Sequence, residues 1–343
     1  MRVLLTGHRG YVGSLLAPLL SADGHEVTGL DSDLFRACDF GNYAVPAPGI
    51  VKDLRDVTPA DLEGFDAVVH LAGLSNDPLG DINPDLTKDI NADGTVRLGK
   101  AAKAAGVKRF LFSSSCSNYG QAGDDWLTET SALAPVTPYA VSKVVSEEEL
   151  DKLADDTFTP VFLRSATAYG MSPRIRFDLV VNNLTAWAIA TGEVRLKSDG
   201  SAWRPLVHVG DMSQAFAKAL TAPRELVHRE VFNVGRNEDC MQVRDIATAV
   251  NAAIPEAKVT FAPGRETDVR TYRVDCSKIR KIGFEAQWTL DKGIAELRDA
   301  FRGVGVSVAD FEGARYQRLA HIKHQLASGE LDASLRRQAD ALV

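Results

Sequence analysis

The sequence lacks the devices by which many proteins reveal themselves. Its four cysteines, Cys38, Cys116, Cys240 and Cys276, include no pair at metal-finger spacing, and 343 residues need no disulfide staples. No apolar run approaches the roughly 18 residues of a membrane span. There is no excess of positive charge: the net charge is −7, which repels phosphate backbones and excludes broad nucleic-acid binding. Tandem repeats and low-complexity tracts are absent. The opening "MRVLLTGHRG" reads as a strand and a turn, without the apolar core of a signal peptide. The expectation is a reduced, cytoplasmic protein with no metal. At 45% hydrophobic and 25% charged residues it has the composition of a globular domain with a sizeable core.

What is present is rhythm. "RVLLTG", "HEVTGLD", "FDAVVHLAG", "KRFLFSSS" and "TPVFLRSATAYG" read as buried strands, and helical patterns separate them. That alternation predicts an α/β fold with a Rossmann-type, doubly wound parallel sheet. After Gly170 the rhythm breaks. We divide the chain into a dinucleotide-binding unit over 1–170, a smaller α/β substrate lobe over 171–305 with strand returns to the sheet, and a helical C-terminal appendage over 306–343.

Between the first strand and helix, "TGHRGYVG" sets Gly7, Gly10 and Gly13 around Tyr11 and Val12. Glycines there allow a tight turn and close backbone approach to a pyrophosphate, with the helix N-terminus supplying N–H donors. Asp31 ends the next strand. A carboxylate there accepts from both ribose hydroxyls and repels a 2′-phosphate; Ser32 rather than Arg follows, so NAD is favoured over NADP. Further on, "YAVSK" puts Tyr139 and Lys143 on one helical face. A lysine ammonium stabilises a phenolate, which fits Tyr139 to act as a base.

The order of these features, with the serine-rich strand end "FSSSCSNYG" between them, resembles the extended short-chain dehydrogenases/reductases that act on nucleotide-diphosphate sugars. It is similar to the NAD-dependent epimerase/dehydratase family from residue 1 to about 300. The resemblance implies that Tyr139 exchanges a proton with a sugar hydroxyl while Ser115 shares it, and that Lys143 holds the nicotinamide ribose. It further implies that Asp53 and Leu54 flank the adenine, that Leu71, Ala72 and Gly73 line the pyrophosphate and ribose side, and that Asn91 supports the active-site helix or its bound water. Asn183, Leu184, Arg204 and Arg270 are expected at the substrate diphosphate. Arg174 and Arg176 either reach the substrate or cap their loop. His70 and His208 read as satisfied core groups, and His321 and His324 as surface or interface residues of the tail.

Related dehydratases carry Asp and Glu directly after the Ser/Thr of the serine strand. Here those positions are Cys116 and Ser117, which we place with the substrate-binding residues, although a small buried cysteine fits equally well. Without those carboxylates the expected reaction is epimerisation of a nucleotide-diphosphate sugar, at C4 through a transient ketone. The alternatives are a 4,6-dehydratase or 4-dehydrogenase of the same fold, or an NAD-sensing protein without turnover. The expected partner is a nucleotide-diphosphate sugar, and the resemblance implies a homodimer.

Overall fold

The structure, a computed structural model, describes residues 1–46, 49–80, 82–120, 125–266 and 271–338, with backbone alone for 262–266. Seven strands of these residues form one parallel sheet: β1 (Arg2–Thr6), β2 (Glu26–Asp31), β3 (Ile50–Val51), β4 (Ala67–His70), β5 (Arg109–Ser115), β6 (Thr159–Ser165) and β7 (Val231–Val234). Their order is β7-β6-β5-β4-β1-β2-β3, so the chain reverses direction of travel between β1 and β4. In sheets of this kind the crevice at that reversal, beyond the strands' C-terminal ends, is where ligands bind. The register lines up those ends: Thr6 lies beside Leu30 and His70, and Ser115 beside Ser165.

Period-two alternation builds the two faces of the sheet. Val3 and Leu5 point to the side covered by α1 (Gly13–Ala22) and by the helix Val209–Thr221, where Leu16, Leu20 and Phe216 are fully buried. Leu4 points the other way, toward Leu30, Val68 and Leu98 of α2 (Gly94–Ala104). Both faces are covered, which is why these strands read as continuous apolar runs. A further core gathers the helices Val180–Thr191, Val243–Ala253 and Leu290–Val304, with Phe40, Phe177 and Phe301 at its centre. The expected return of the 171–305 segment to the sheet is β7. No helix among the described residues is long and apolar enough to cross a membrane.

His70 is a core group, as its apolar strand suggested. Its Nδ1 lies 2.6 Å from the Thr6 hydroxyl and its Nε2 2.8 Å from that of Thr95. His208 is likewise engaged, 2.9 Å from Glu296 and stacked on Trp288 at 3.9 Å between ring centroids. Of the two alternatives left for the tail histidines, His321 takes the interface: it is buried 2.9 Å from the Ala314 carbonyl and beside Phe35, because the tail folds back onto the body.

Burial lowers the His70 pKa to about 3, with the Lys143 charge adding to the effect. The unfolded chain therefore takes up a proton between about pH 6.5 and 3 that the folded chain refuses. His70's contribution is present above the unfolded value and is lost as pH falls through that window, at up to about 1.4 kcal/mol per pH unit. Urea denaturation at a series of pH values should show a shallower acid decline in His70→Asn than in the unsubstituted protein.

Candidate active site

A cavity of about 920 Å³ opens at the C-terminal edge of the sheet, near the upper end of the range of about 300–1,000 Å³ for small-molecule sites. One wall is the glycine turn. Gly7 has φ of 73°, and a Cβ there would lie 2.8 Å from the Ala72 nitrogen; a Cβ on Gly13 would lie 2.2 Å from the Gly7 carbonyl oxygen. Neither position admits a side chain. Gly10 donates to the Gly7 carbonyl at 3.0 Å and closes the turn. Gly7, Gly10, Tyr11, Val12 and Gly13 all line the cavity, although the Tyr11 hydroxyl turns inward to donate to the Gly170 carbonyl at 2.7 Å.

Asp31 lies beside this turn. Its carboxylate accepts from the backbone N–H of Arg9 at 3.1 Å and of Asp33 at 2.8 Å, which fixes its direction and leaves lone pairs toward the cavity. Asp53 and Leu54 form the next part of the rim, with Asp53 paired to Arg55 at 2.7 Å. Leu71, Ala72 and Gly73 line the opposite wall. That wall is held by Asn91, whose side chain accepts from the Leu74 N–H at 2.8 Å and donates to the Leu74 carbonyl at 2.9 Å. Asn91 sits in a π-helical stretch, Lys88–Asp93, a local widening that is frequent at functional sites. Its carbonyl also accepts from Ser146 at 3.2 Å, so it supports the neighbouring helix as well.

That helix, α3 (Pro138–Asp151), carries Tyr139 and Lys143. Thr137 caps it, accepting from the Ala140 N–H at 3.2 Å and donating to Asp77 at 2.7 Å, and Pro138 fills its first turn. Ser115 ends β5 facing the same space and hydrogen-bonds Tyr139. Lys143 donates to the Ser113 carbonyl at 2.7 Å, and its ammonium lies 5.6 Å from the Tyr139 ring centroid. Burial pushes the Tyr139 phenol up to about 12; the Arg176 charge and the Ser115 hydrogen bond oppose that rise, while Asp77 adds to it. Burial also lowers Lys143 to about 8, against the pull of Glu147. The structure thus brings Ser115, Tyr139 and Lys143 together at one end of the cavity.

On the lobe side, Ser117, Asn183, Leu184 and Arg204 line the cavity, and Arg270 lies outside the described residues. Cys116 is the correction. β5 gives way to a 3₁₀ turn at Cys116–Tyr119, and the Cys116 side chain points away from the cavity. It is buried with Tyr119, Tyr272, Val274 and Cys276, and its thiol donates to the Arg164 carbonyl at 3.2 Å. Burial pushes that thiol far above its ordinary range.

The two arginines left open in the sequence separate. Arg174 is buried off the cavity, paired with Asp39 at 2.7 Å. Arg176 lines the cavity, its guanidinium bound to Asp178, whose carboxylate it holds down at about 2. Two further features escaped sequence reasoning. Gln317, Arg318 and Leu335 of the tail reach the cavity wall. Beneath the site, Arg164 of β6 grips Glu147 of α3 in a buried two-pronged ion pair, at 3.0 and 2.6 Å. Ser114 and Asn118 complete the Glu147 shell. Its signal was available: Glu147 continues the Tyr139, Lys143 spacing by one more turn.

Comparison with known proteins now decides the family. Residues 3–235 match the model of the NAD dependent epimerase/dehydratase family. The chain belongs to this family. A UDP-glucose 4-epimerase of Mycolicibacterium smegmatis is 30% identical over 314 residues, covering 88% of this chain and 99% of that protein. The solved structure of TunA, an NAD dependent NDP-hexosamine 5,6-dehydratase involved in tunicamycin biosynthesis, superposes with a TM-score of 0.78 at 26% identity, covering 88% of this chain and 98% of that one. MoeE5, solved with UDP-glucuronic acid and NAD, gives 0.76 at 26% identity, covering 88% and 99%. The expected fold class and the expected cofactor, NAD, are those of the family. The glycine turn that no Cβ can enter and the oriented Asp31 carboxylate fit that cofactor.

Leaving Glu147 buried without its partner should be costly. Arg164→Met is expected to destabilise the protein by about 3–5 kcal/mol in chemical denaturation, and adding Glu147→Leu should recover a substantial part of the loss.

Proposed function

We propose that the protein is an NAD-dependent nucleotide-diphosphate-sugar epimerase acting at C4. Gly7, Gly10 and Gly13 cradle the cofactor's pyrophosphate, Asp31 its adenine ribose, and Asp53 and Leu54 its adenine. Asn183, Leu184 and Arg204 hold the substrate diphosphate, with Ser117 at the sugar. Tyr139 accepts the proton of the C4 hydroxyl, and Ser115 bridges phenol and substrate oxygen. When bound, NAD supplies the hydride acceptor and a positive charge beside the phenol. Lys143, an ammonium at neutral pH, adds a second charge that favours the phenolate. The proton would then return from Tyr139 to the oxygen of the 4-keto sugar, presented by its opposite face, as C4 takes back the hydride that NAD would hold. No net oxidation results.

The observation that carries this reading is the turn of Cys116 out of the cavity. Elimination of water requires an acid and a base beside the sugar. The strand end offers Ser117 and no carboxylate, Asp178 is held ionised by Arg176, so it cannot donate a proton near neutrality, and Asp77, the carboxylate whose charge acts on Tyr139, accepts from the Thr137 helix cap at 2.7 Å. The similarity to TunA keeps dehydration as the second reading. A cytoplasmic location and a homodimer, packed through α2 and α3, belong to the same proposal.

Three measurements test it. With a panel of UDP-, dTDP-, GDP- and CDP-sugars, the expected outcome is a C4 epimer with no accumulated NADH. A stable 4-keto-6-deoxy product would instead establish the dehydratase. Tyr139→Phe should cut turnover at least a thousandfold while NAD binding persists, and undiminished turnover would remove Tyr139 from the chemistry. Sedimentation velocity should give twice the chain mass; a monomer at micromolar concentration would refute the dimer.

A further inference from the structure

The tail from Tyr316 to Gln338 lies across the cavity as a strap. Tyr316 donates to the Asp39 carbonyl at 3.2 Å, and Arg318 to the Arg174 carbonyl at 3.1 Å. Arg55 donates to the Ser334 carbonyl at 2.9 Å. Arg336 donates to the Asp56 carboxylate at 3.0 Å, and Arg337 to the Asp33 carbonyl at 2.9 Å. Ile322, Leu331 and Leu335 pack on Leu74, Leu79 and Leu86. The strap therefore joins the segments that follow β2 and β3 to the segment that follows β4. Those segments are the two rims of the cleft.

One buried cation of the strap has no carboxylate partner among the described residues. Arg318 lines the cavity and is 2% exposed. Its guanidinium lies 4.1 Å from the Phe35 ring centroid, and its Nη1 has no hydrogen-bond partner among the described residues. It forms no ion pair with a described carboxylate; it hydrogen-bonds the Cys38 thiol, and Arg176, Asp178 and Arg174 are the charged groups that act on it. Burial lowers its pKa to about 10, which leaves it fully charged at neutral pH. A buried, charged guanidinium with a free donor calls for an anion. The other arginines nearby each face a carboxylate, Arg9 with Asp33, Arg174 with Asp39 at 2.7 Å and Asp33 at 3.5 Å, and Arg176 with Asp178 at 2.6 Å, although the Arg174 guanidinium nitrogens make no well-directed hydrogen bond among the described residues.

The anion that fits a guanidinium fork is a phosphate or diphosphate. Two diphosphates enter this cavity in the proposed reaction, the cofactor's and the sugar nucleotide's. Arg318 connects through Arg174 and Asp33 to Arg9, inside the glycine turn, whereas Asn183 and Arg204 stand on the other lobe. We propose that Arg318 is a ligand of the dinucleotide pyrophosphate, and that the strap encloses the cofactor by closing this charge over it. The residue lies beyond the 3–235 segment that matches the family.

The test uses the full chain, stripped of nucleotide, and NADH fluorescence titration. Arg318→Gln should weaken NADH binding about tenfold or more, and should purify with less bound NAD. Arg318→Lys, which keeps the charge and loses the fork, should fall between. The affinity for UDP, measured in parallel by calorimetry, should not change. Unaltered NADH affinity in both variants overturns the proposal, and so does weakened UDP binding with NADH binding intact, which would assign Arg318 to the substrate. If the Gln variant does not fold, the Lys variant decides alone: NADH affinity equal to that of the unsubstituted protein overturns it.

Discussion

The ion pair between Glu147 and Arg164 is the interaction on which the site's geometry rests. It joins the middle of α3 to the interior of β6, and Ser114 and Asn118 draw β5 and the turn after it into the same shell. Ser114 precedes Ser115, and Glu147 follows Lys143 by one helical turn. The pair therefore sets the distance between the strand end that carries Ser115 and the helix that carries Tyr139. Burying two charges is expensive in itself, and replacing both by packed apolar groups is often no worse for stability. We infer that what the pair contributes is position: a bidentate fork fixes angle and register where an apolar contact would allow sliding.

A second layer of constraint acts on the opposite wall. Asn91 occupies both hydrogen-bonding groups of the Leu74 backbone, and Gly73 is pressed against it, with no room for a Cβ beside the Asn91 oxygen at 2.9 Å. The glycine turn is equally closed to side chains. Cofactor walls are thus backbone, held by a few buried polar side chains. The other end of the cavity, around Tyr139, Arg176 and Arg204, is side chains, some of them charged. That division suits a family whose cofactor is constant and whose substrates differ.

Much of this was legible because it is local. The glycine turn, Asp31 and the Tyr139–Lys143 spacing each fit within a short window whose backbone geometry follows from the sequence. Ser115 was legible through the family resemblance, with which its place at a strand end agrees. Cys116 was misplaced because the strand's alternation was not carried one residue further: if Ser115 faces the cavity, its successor faces away until the turn intervenes. The tail was read as helical, and Arg318–Ser328 is a helix. Its destination was not legible, because the partners of Arg318, Arg336 and Arg337 lie 144 to 304 residues earlier in the chain. No periodicity encodes such pairings.

The same separations bear on how the molecule is assembled. Loop closure grows costlier with the length of chain enclosed, though slowly, and contacts between distant segments tend to form after local ones. Parallel pairing of β1 with β2 and β4 needs only the first seventy residues. The strap's bonds to Asp33 and Asp56 enclose nearly the whole chain. A nascent chain would then hold a finished glycine turn and a cleft without its cover while the last segment is still being made. In that interval the C-terminal edge of the sheet stands open, and the cavity gains its last wall only when Gln317, Arg318 and Leu335 reach it.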